Sequence, residues 1–387
     1  MSLDIGSVAV RARRTLERPD FILVIVMAAL TALGLLMIFT ASAPRLEAEG
    51  AERSSAMVRQ AVFVGGGAAV FVFASLLSVR SWRLFTPYLY AGTLLLLFAV
   101  LSPVGALRQG AQRWISLGII DLQPSEVAKP VVILALALLL MPVEENRMRW
   151  LRIARALALM AVPAVLIFMQ PDLGTMLVFG FVTVVMLFVA GTTVRQLLTL
   201  LAAAVLVLAI AVELDVLEEY QVDRLTGFLN RGEQTLSINY NQNQSQIAIG
   251  AGGLFGQGLF EGTQTNLAFV PAQTTDFIFT AVGEQLGFAG GAIVIGLYAV
   301  LLWRLLVIAA AARDRFGQLV VTGVAAMIGF HVFVNIGMAV GLLPVTGLPL
   351  PFMSEGGSFY MAMALSCGVA QAVWMRRTRV PGGLHLT

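Results

Sequence analysis

The chain of 387 residues has almost no lysine: Lys129 stands alone beside 24 arginines. It has one cysteine, Cys367, and two histidines. A single thiol excludes an internal disulfide and any multi-cysteine metal site, and its apolar surroundings read as those of a small buried hydrophobe. Charged residues make up 12% of the chain, against about a quarter in a soluble domain. The formal net charge of +3 is too small to mark a nucleic-acid partner. There is no Walker loop, dinucleotide fingerprint, His-Glu-x-x-His pair or metal-ligand spacing. What the chain does have is apolar bulk, 58% of its residues. That points to an all-α membrane protein.

A span needs roughly 20 mostly apolar residues. About ten transmembrane helices are predicted, near 21–40, 57–77, 84–103, 126–142, 153–170, 175–191, 196–214, 276–304, 317–341 and 358–375, with the fourth and sixth short. The arginines test this count. With a cytoplasmic N-terminus, 17 arginines fall on the inner side, among them Arg80, Arg155, Arg304 and Arg376, and 7 on the outer side. That asymmetry follows the positive-inside rule, puts both termini in the cytoplasm and requires an even number of spans. The N-terminal segment is too polar for a cleavable signal, so the first apolar run is expected to be an uncleaved anchor. The expected organisation is a cytoplasmic segment 1–20, one polytopic membrane domain 21–375 and a cytoplasmic tail 376–387.

Most outer connections are short, but 215–275, between helices 7 and 8, is a large extracytoplasmic loop. It opens acidic, turns polar through Tyr240-Asn-Gln-Asn-Gln-Ser245, and becomes glycine-rich and apolar from Ile247 to Gly262. A loop of this length is usually functional or disordered. Its apolar part is a candidate re-entrant segment, which requires a protein-walled cavity.

Ionisable groups inside or at the mouth of a span are costly, so each is a site candidate. Glu126 and Lys129 are three apart and can pair, as a site or as a structural ion pair. Asp172 lies in Gln170-Pro-Asp-Leu-Gly-Thr175, which also reads as a plain tight turn. Asp276 stands at the start of an apolar run, where it can act as a cap. Glu284 follows eight residues later, about 12 Å down a continuous helix and near the same face. Two carboxylates so placed suggest a lined cavity. Glu355 lies in the proline- and glycine-rich segment 343–358, which cannot be a regular helix and either holds a ligand or braces its neighbours. His331 and Asn335 sit one turn apart on the preceding span, in reach of interhelical hydrogen bonds. The residues alone describe a transporter and a membrane enzyme equally well.

These stretches resemble the SEDS (shape, elongation, division and sporulation) family. The matching segments are Gly110-Ala-Gln-Arg-Trp-Ile115, Gln123-Pro-Ser-Glu-Val-Ala-Lys129, Gln170-Pro-Asp-Leu-Gly-Thr175, Ile247-Ala-Ile-Gly250, Thr275-Asp-Phe-Ile-Phe279 and Gly341-Leu-Leu-Pro-Val-Thr-Gly-Leu-Pro-Leu-Pro-Phe352, running into Gly356-Gly-Ser358. They occur in the family's order and cover most of the chain from residue 105 onward. Two of them, at 170–175 and 343–349, look more like the RodA branch than the FtsW branch. The resemblance implies a peptidoglycan glycosyltransferase that polymerises lipid II at the outer face of the cytoplasmic membrane during elongation, beside a class B penicillin-binding protein. It puts the family's essential aspartate on Asp276, the expected catalytic general base, and its tryptophan on Trp114. Its paired Glu and Lys fall on Glu126 and Lys129. Arg108, Arg113 and Lys129 are candidates for the leaving pyrophosphate; Asp172, Glu284 and Glu355 are further substrate-binding candidates. No metal ligands are expected, and a divalent cation is left open. The expected partners are lipid II, the transpeptidase and membrane lipids, with no nucleic acid. The chain departs from the family pattern at Thr274, where histidine is usual, at Glu355, where tyrosine is usual, and in the 240–245 stretch. A flippase and a non-catalytic scaffold remain the competing readings.

Overall fold

The computed structural model describes residues 18–108, 111–116, 118, 121–141, 150–213 and 240–377. The acidic start of the outer loop, Arg224, Arg231 and most of both terminal segments lie outside the described residues, as does the side chain of Arg108. Each predicted span is met by a helix. The first seven are α1 (Phe21–Ala48), α2 (Ser55–Leu76), α3 (Val79–Val100), α4 (Pro124–Leu140), α5 (Trp150–Phe168), α6 (Leu173–Val189) and α7 (Val194–Glu213). Two shorter helices, α8 (Tyr240–Ala251) and α9 (Thr263–Asn266), belong to the long connection. The last three spans are α10 (Ile278–Ala310), α11 (Arg315–Ala339) and α12 (Gly357–Trp374). Six of these, α1, α2, α3, α5, α10 and α11, are long and apolar enough to cross a bilayer unaided. Helices α4 and α6 have 17 residues each, short as expected.

Helices α4, α12 and α11 are the most enclosed. Helix α11 packs against α4, α6, α8, α10 and α12, and is buried along most of its length. The outer surfaces of α2, α3 and α7 instead present Val62, Leu95 and Leu201 outward, as a hydrocarbon solvent allows. Small residues permit the close crossing of α2 and α12. A Cβ on Gly67 would lie 2.5 Å from Tyr360, and one on Gly368 2.7 Å from the Phe71 carbonyl.

Ionic contacts group the helix ends by side. Asp20 caps α1 by accepting from the Leu23 amide at 2.9 Å, and its other oxygen pairs with Arg304 near the end of α10. Arg315 donates to the Val189 carbonyl at the end of α6, and Arg376 to the Ser75 carbonyl at the end of α2. The ends of α2, α6, α10 and α12 therefore share one face with the start of α1. The alternation predicted from hydropathy requires this grouping. The start of α2, the 170–172 turn and the segment before α10 lie at the opposite ends of the bundle.

Two features were not expected from the sequence. Between α3 and α4 the chain forms an antiparallel sheet of β1 (Gly105–Arg108), β2 (Ala111–Ser116) and β3 (Asp121–Leu122), in that spatial order. The register pairs Ala106 with Trp114 and Ile115 with Leu122. Strands this short carry too few alternations to stand out beside a 20-residue apolar run.

The second is a break in α10 at Gly287, whose φ of 68° and ψ of −163° interrupt the helix. The segment after α8 supplies the missing hydrogen bonds. Gln257 N donates to the Glu284 carbonyl at 2.9 Å and Gly258 N to Gln285 at 3.2 Å; Phe288 N and Ala289 N donate back to Gly253 and Leu254. The glycine-rich run thus packs against a broken helix and satisfies its backbone, the condition for irregular structure at membrane depth. Backbones come so close that a Cβ on Gly287 would sit 2.3 Å from the Gly256 nitrogen.

Candidate functional site

Asp276 lies in the turn that leads into α10. Ala272, at φ 54°, sets this turn, and its carbonyl accepts from the amides of Thr275, Asp276 and Phe277 at 3.2, 3.0 and 3.3 Å. Helix α10 begins only at Ile278, with Phe277 at the N-cap position. The half-buried Asp276 side chain faces the 343–356 segment. A Cβ on Gly347 would lie 3.5 Å from Asp276 Oδ2. Asn335, fully buried on α11, uses both hydrogens of Nδ2: one goes to the Asp276 carbonyl and one to the Leu348 carbonyl, each at 2.7 Å. One side-chain amide thereby staples the Asp276 backbone to the neighbouring segment.

That proline-rich segment braces rather than dangles. Leu350 N donates to Ser354 Oγ at 2.8 Å, and Tyr298 Oη donates to the Pro351 carbonyl at 2.5 Å. Phe352, buried at φ 67°, is held in a conformation that costs a non-glycine residue energy. Further along, Glu355 accepts from Thr274 Oγ1 at 2.8 Å, its amide donates to the Thr274 carbonyl at 2.8 Å, and its other carboxylate oxygen pairs with Arg59. The two departures from the family pattern, Thr274 and Glu355, are thus hydrogen-bonded to each other. Both lie beside Asp276.

Glu284 has its own set of partners. It is fully buried and accepts from Gln264 N at 2.7 Å, Thr265 N at 3.0 Å and Thr265 Oγ1 at 2.5 Å. The expectation of two aligned carboxylates assumed a helix already running at 276. With the helix starting at Ile278, that arithmetic does not hold. Glu284 reaches the Asp276 turn indirectly, because Gln273 Nε2 donates to Thr265 Oγ1 at 2.9 Å.

A second group of charges lies deeper. Lys129 Nζ is 2.8 Å from Glu126 Oε2 and 3.2 Å from His331 Nε2, and stands 5.2 Å from the Phe359 ring centre. An ammonium can only donate, so His331 Nε2 accepts and Nδ1–H donates to the Pro349 carbonyl at 3.1 Å. Ser125, beside Glu126, donates to Asp172 Oδ2 at 3.2 Å, while Asp172 caps α6 through Thr175 N at 3.1 Å and Thr175 Oγ1 at 2.9 Å. Arg113 on β2 donates to the carbonyls of Gln170, at 2.7 Å, and Pro171. Trp114 beside it is half-buried. The sheet and the 170–172 turn are therefore tied together, and the deep cluster reaches the 343–356 segment through His331.

Sequence reasoning passed over Arg59, Asn335 and Gln273 as members of the site. Arg59 had a signal, an arginine on the sparsely charged outer side. Asn335 had a weaker one, a buried amide one turn from His331.

These helices and the acidic group at one end of the bundle define a multi-pass membrane protein with its candidate chemistry at a membrane face. Residues 20–379 match the profile of the FtsW, RodA and SpoVE family, described as cell cycle proteins, and the chain belongs to that family. It is similar to stage V sporulation protein E of Bacillus subtilis, 37% identical over 91% of this chain and 95% of that protein. It is also similar to the peptidoglycan glycosyltransferase MrdB of Escherichia coli K12, 36% identical over 83% of this chain and 86% of that one. Among solved structures, a chain from a peptidoglycan synthase complex that coordinates polymerization and crosslinking superposes with a TM-score of 0.78 at 34% identity, covering 93% of this chain and 98% of that one. The rod shape determining protein RodA of Thermus thermophilus does so at 0.69 and 32% identity, covering 93% and 98%.

Proposed function

We propose that the chain is a peptidoglycan glycosyltransferase that polymerises lipid II at the outer face of the bacterial cytoplasmic membrane, with both termini inside. The family supports the enzyme class, and the 17-to-7 arginine asymmetry supports the orientation. Lipid II joins an apolar tail, a pyrophosphate at headgroup level and sugars in water. Its polymerase needs an apolar groove, cations and a carboxylate at the interface.

The observation that carries the reading is Asp276: a half-buried carboxylate at the outer end of a span, on a backbone held by Asn335 and the Ala272 turn. In the proposed step it takes the proton of the acceptor sugar's 4-hydroxyl as that oxygen attacks the donor's anomeric carbon. The glycosidic bond forms as the bond to the pyrophosphate oxygen breaks. Arg113 and Arg108 on the sheet remain the proposed cations for the leaving group, with Trp114 nearby. Lys129 is sealed between Glu126 and His331, so its proposed part is to hold the bundle beneath the site together.

The partner is a class B penicillin-binding protein and the setting is cell elongation, the latter supported by the RodA-like motifs at 170–175 and 343–349. Stage V sporulation protein E and MrdB match at nearly equal identity, so this role rests on those motifs.

Purified protein given lipid II, alone and with the transpeptidase, tests the reading against Asp276→Asn. We expect strands from wild type and a loss of about 10² to 10⁴ in rate for the variant. Equal rates would remove Asp276 as base. Headgroup translocation in liposomes without polymer would support a flippase, and dispensable carboxylates with intact partner binding a scaffold.

A further inference from the structure

We propose that Glu355 is a positioning residue for the polymerisation step, acting with Arg59 and Thr274 as a strut that fixes the turn carrying Asp276. This rests on the reading of Asp276 as the base.

The strut joins three separate stretches of chain. Arg59 belongs to the first turns of α2, Glu355 directly precedes α12, and Thr274 lies two residues before Asp276. Thr274 is held at two points, its carbonyl by the Glu355 amide and its hydroxyl by the Glu355 carboxylate, both at 2.8 Å. Two-point attachment fixes orientation as well as distance, which a single hydrogen bond does not. The remaining carboxylate oxygen is anchored by Arg59. Gly356 N donates to Gln60 Oε1 at 3.1 Å, so the same few residues join α2 to the segment a second time.

The burial pattern matches an anchor. The Glu355 side chain is 16% exposed while that of Arg59 is 65% exposed. The carboxylate that meets the turn is enclosed, and its counter-charge closes the outside. Across the turn, Asn335 holds the Asp276 carbonyl and Gln273 ties into Thr265 and Glu284. Thr274 is a further attachment, and Glu355 supplies it. A base displaced by about 1 Å can lose roughly 10²-fold in rate, so loosening one of these attachments is expected to appear in turnover before it appears in binding.

The test measures initial polymerisation rates against lipid II concentration for wild type, Glu355→Gln, Thr274→Val, Arg59→Gln and the Arg59→Gln/Glu355→Gln pair, with thermal unfolding in detergent alongside. A strut predicts that Glu355→Gln and Thr274→Val lower kcat by roughly 10-fold or more with KM within about twofold. The pair should fall no further than Glu355→Gln alone, because the two residues act as one unit. A raised KM with unchanged kcat would instead make Glu355 a substrate contact and overturn the proposal. Wild-type kcat in both single variants would also overturn it. If Glu355→Gln does not fold, Thr274→Val, which removes one hydroxyl and keeps the shape, decides by the same two constants. Asp276→Asn in the same assay separates the levels: an active Asp276→Asn defeats the base reading, whereas an inactive one beside fully active strut variants defeats only the strut.

Discussion

Two clusters of opposite charges meet the 343–356 segment, and their surroundings differ. Around Lys129, every polar partner is another buried side chain or a carbonyl: Glu126, His331 and, through His331, Pro349. Around Asp276, Thr274 and Glu355 are half-buried, Asn335 is buried, and Arg59 on the rim is mostly exposed. The two share the 343–356 segment, which receives His331 on one side and faces Asp276 on the other. Similar residue types thus do different work. A sealed ion pair must be complete within the protein, because desolvated charges are tolerated only when matched. An acid at the rim keeps access to a substrate, provided the backbone beneath it does not move. The sealed cluster should answer to mutation in stability and the open one in rate.

The sharpest way to break this contrast is Lys129→Met. It strands Glu126 without its counter-charge, and removing one partner of a buried pair costs about 3–5 kcal/mol. We expect a large fall in the detergent unfolding temperature, most of it recovered in Lys129→Met/Glu126→Gln, where both charges are gone. A normally stable Lys129→Met with no turnover would move Lys129 into the chemistry and dissolve the distinction.

Asn335→Leu probes the joint between the clusters. It leaves the Asp276 and Leu348 carbonyls without their shared donor, at about 1–3 kcal/mol for each buried group left unsatisfied. Stability and kcat should fall together, since this residue serves both packing and the presentation of Asp276. Unfolding and polymerisation measured on one preparation check it.

The smallest effect is expected of Gly347→Ala. Its backbone is left-handed, with φ 73°, which costs an L-residue about 1–2 kcal/mol. The added methyl meets Asp276 Oδ2 at an ordinary contact distance of 3.5 Å. We expect a modest loss of stability with kcat nearly intact; a large loss of kcat would show that the carboxylate needs that space.

Much of the fold was legible because a membrane span is a local property. About 20 apolar residues suffice to declare it, and the arginines between spans support the proposed orientation. The short fourth and sixth helices and the glycine-rich run that packs against other protein were also readable. The sheet at 105–122 was not, since its strands are too brief to imprint a period. The spacing of Asp276 and Glu284 was not legible either. It was measured along a helix that begins only at Ile278.

The sequence by itself determined the class of protein, the places of the membrane-type helices and the candidate acids, because hydropathy and charge act over neighbouring residues. Only the tertiary structure decided what each acid touches. Glu355 meets Arg59 across 296 positions of chain, His331 meets Lys129 across 202, and Asn335 meets Asp276 across 59. Contacts at such separations depend on how helices cross and where they break. The bend at Gly287, the close packing of α2 on α12 and the rigid 343–356 segment set those positions, and through them which carboxylate is sealed and which faces outward.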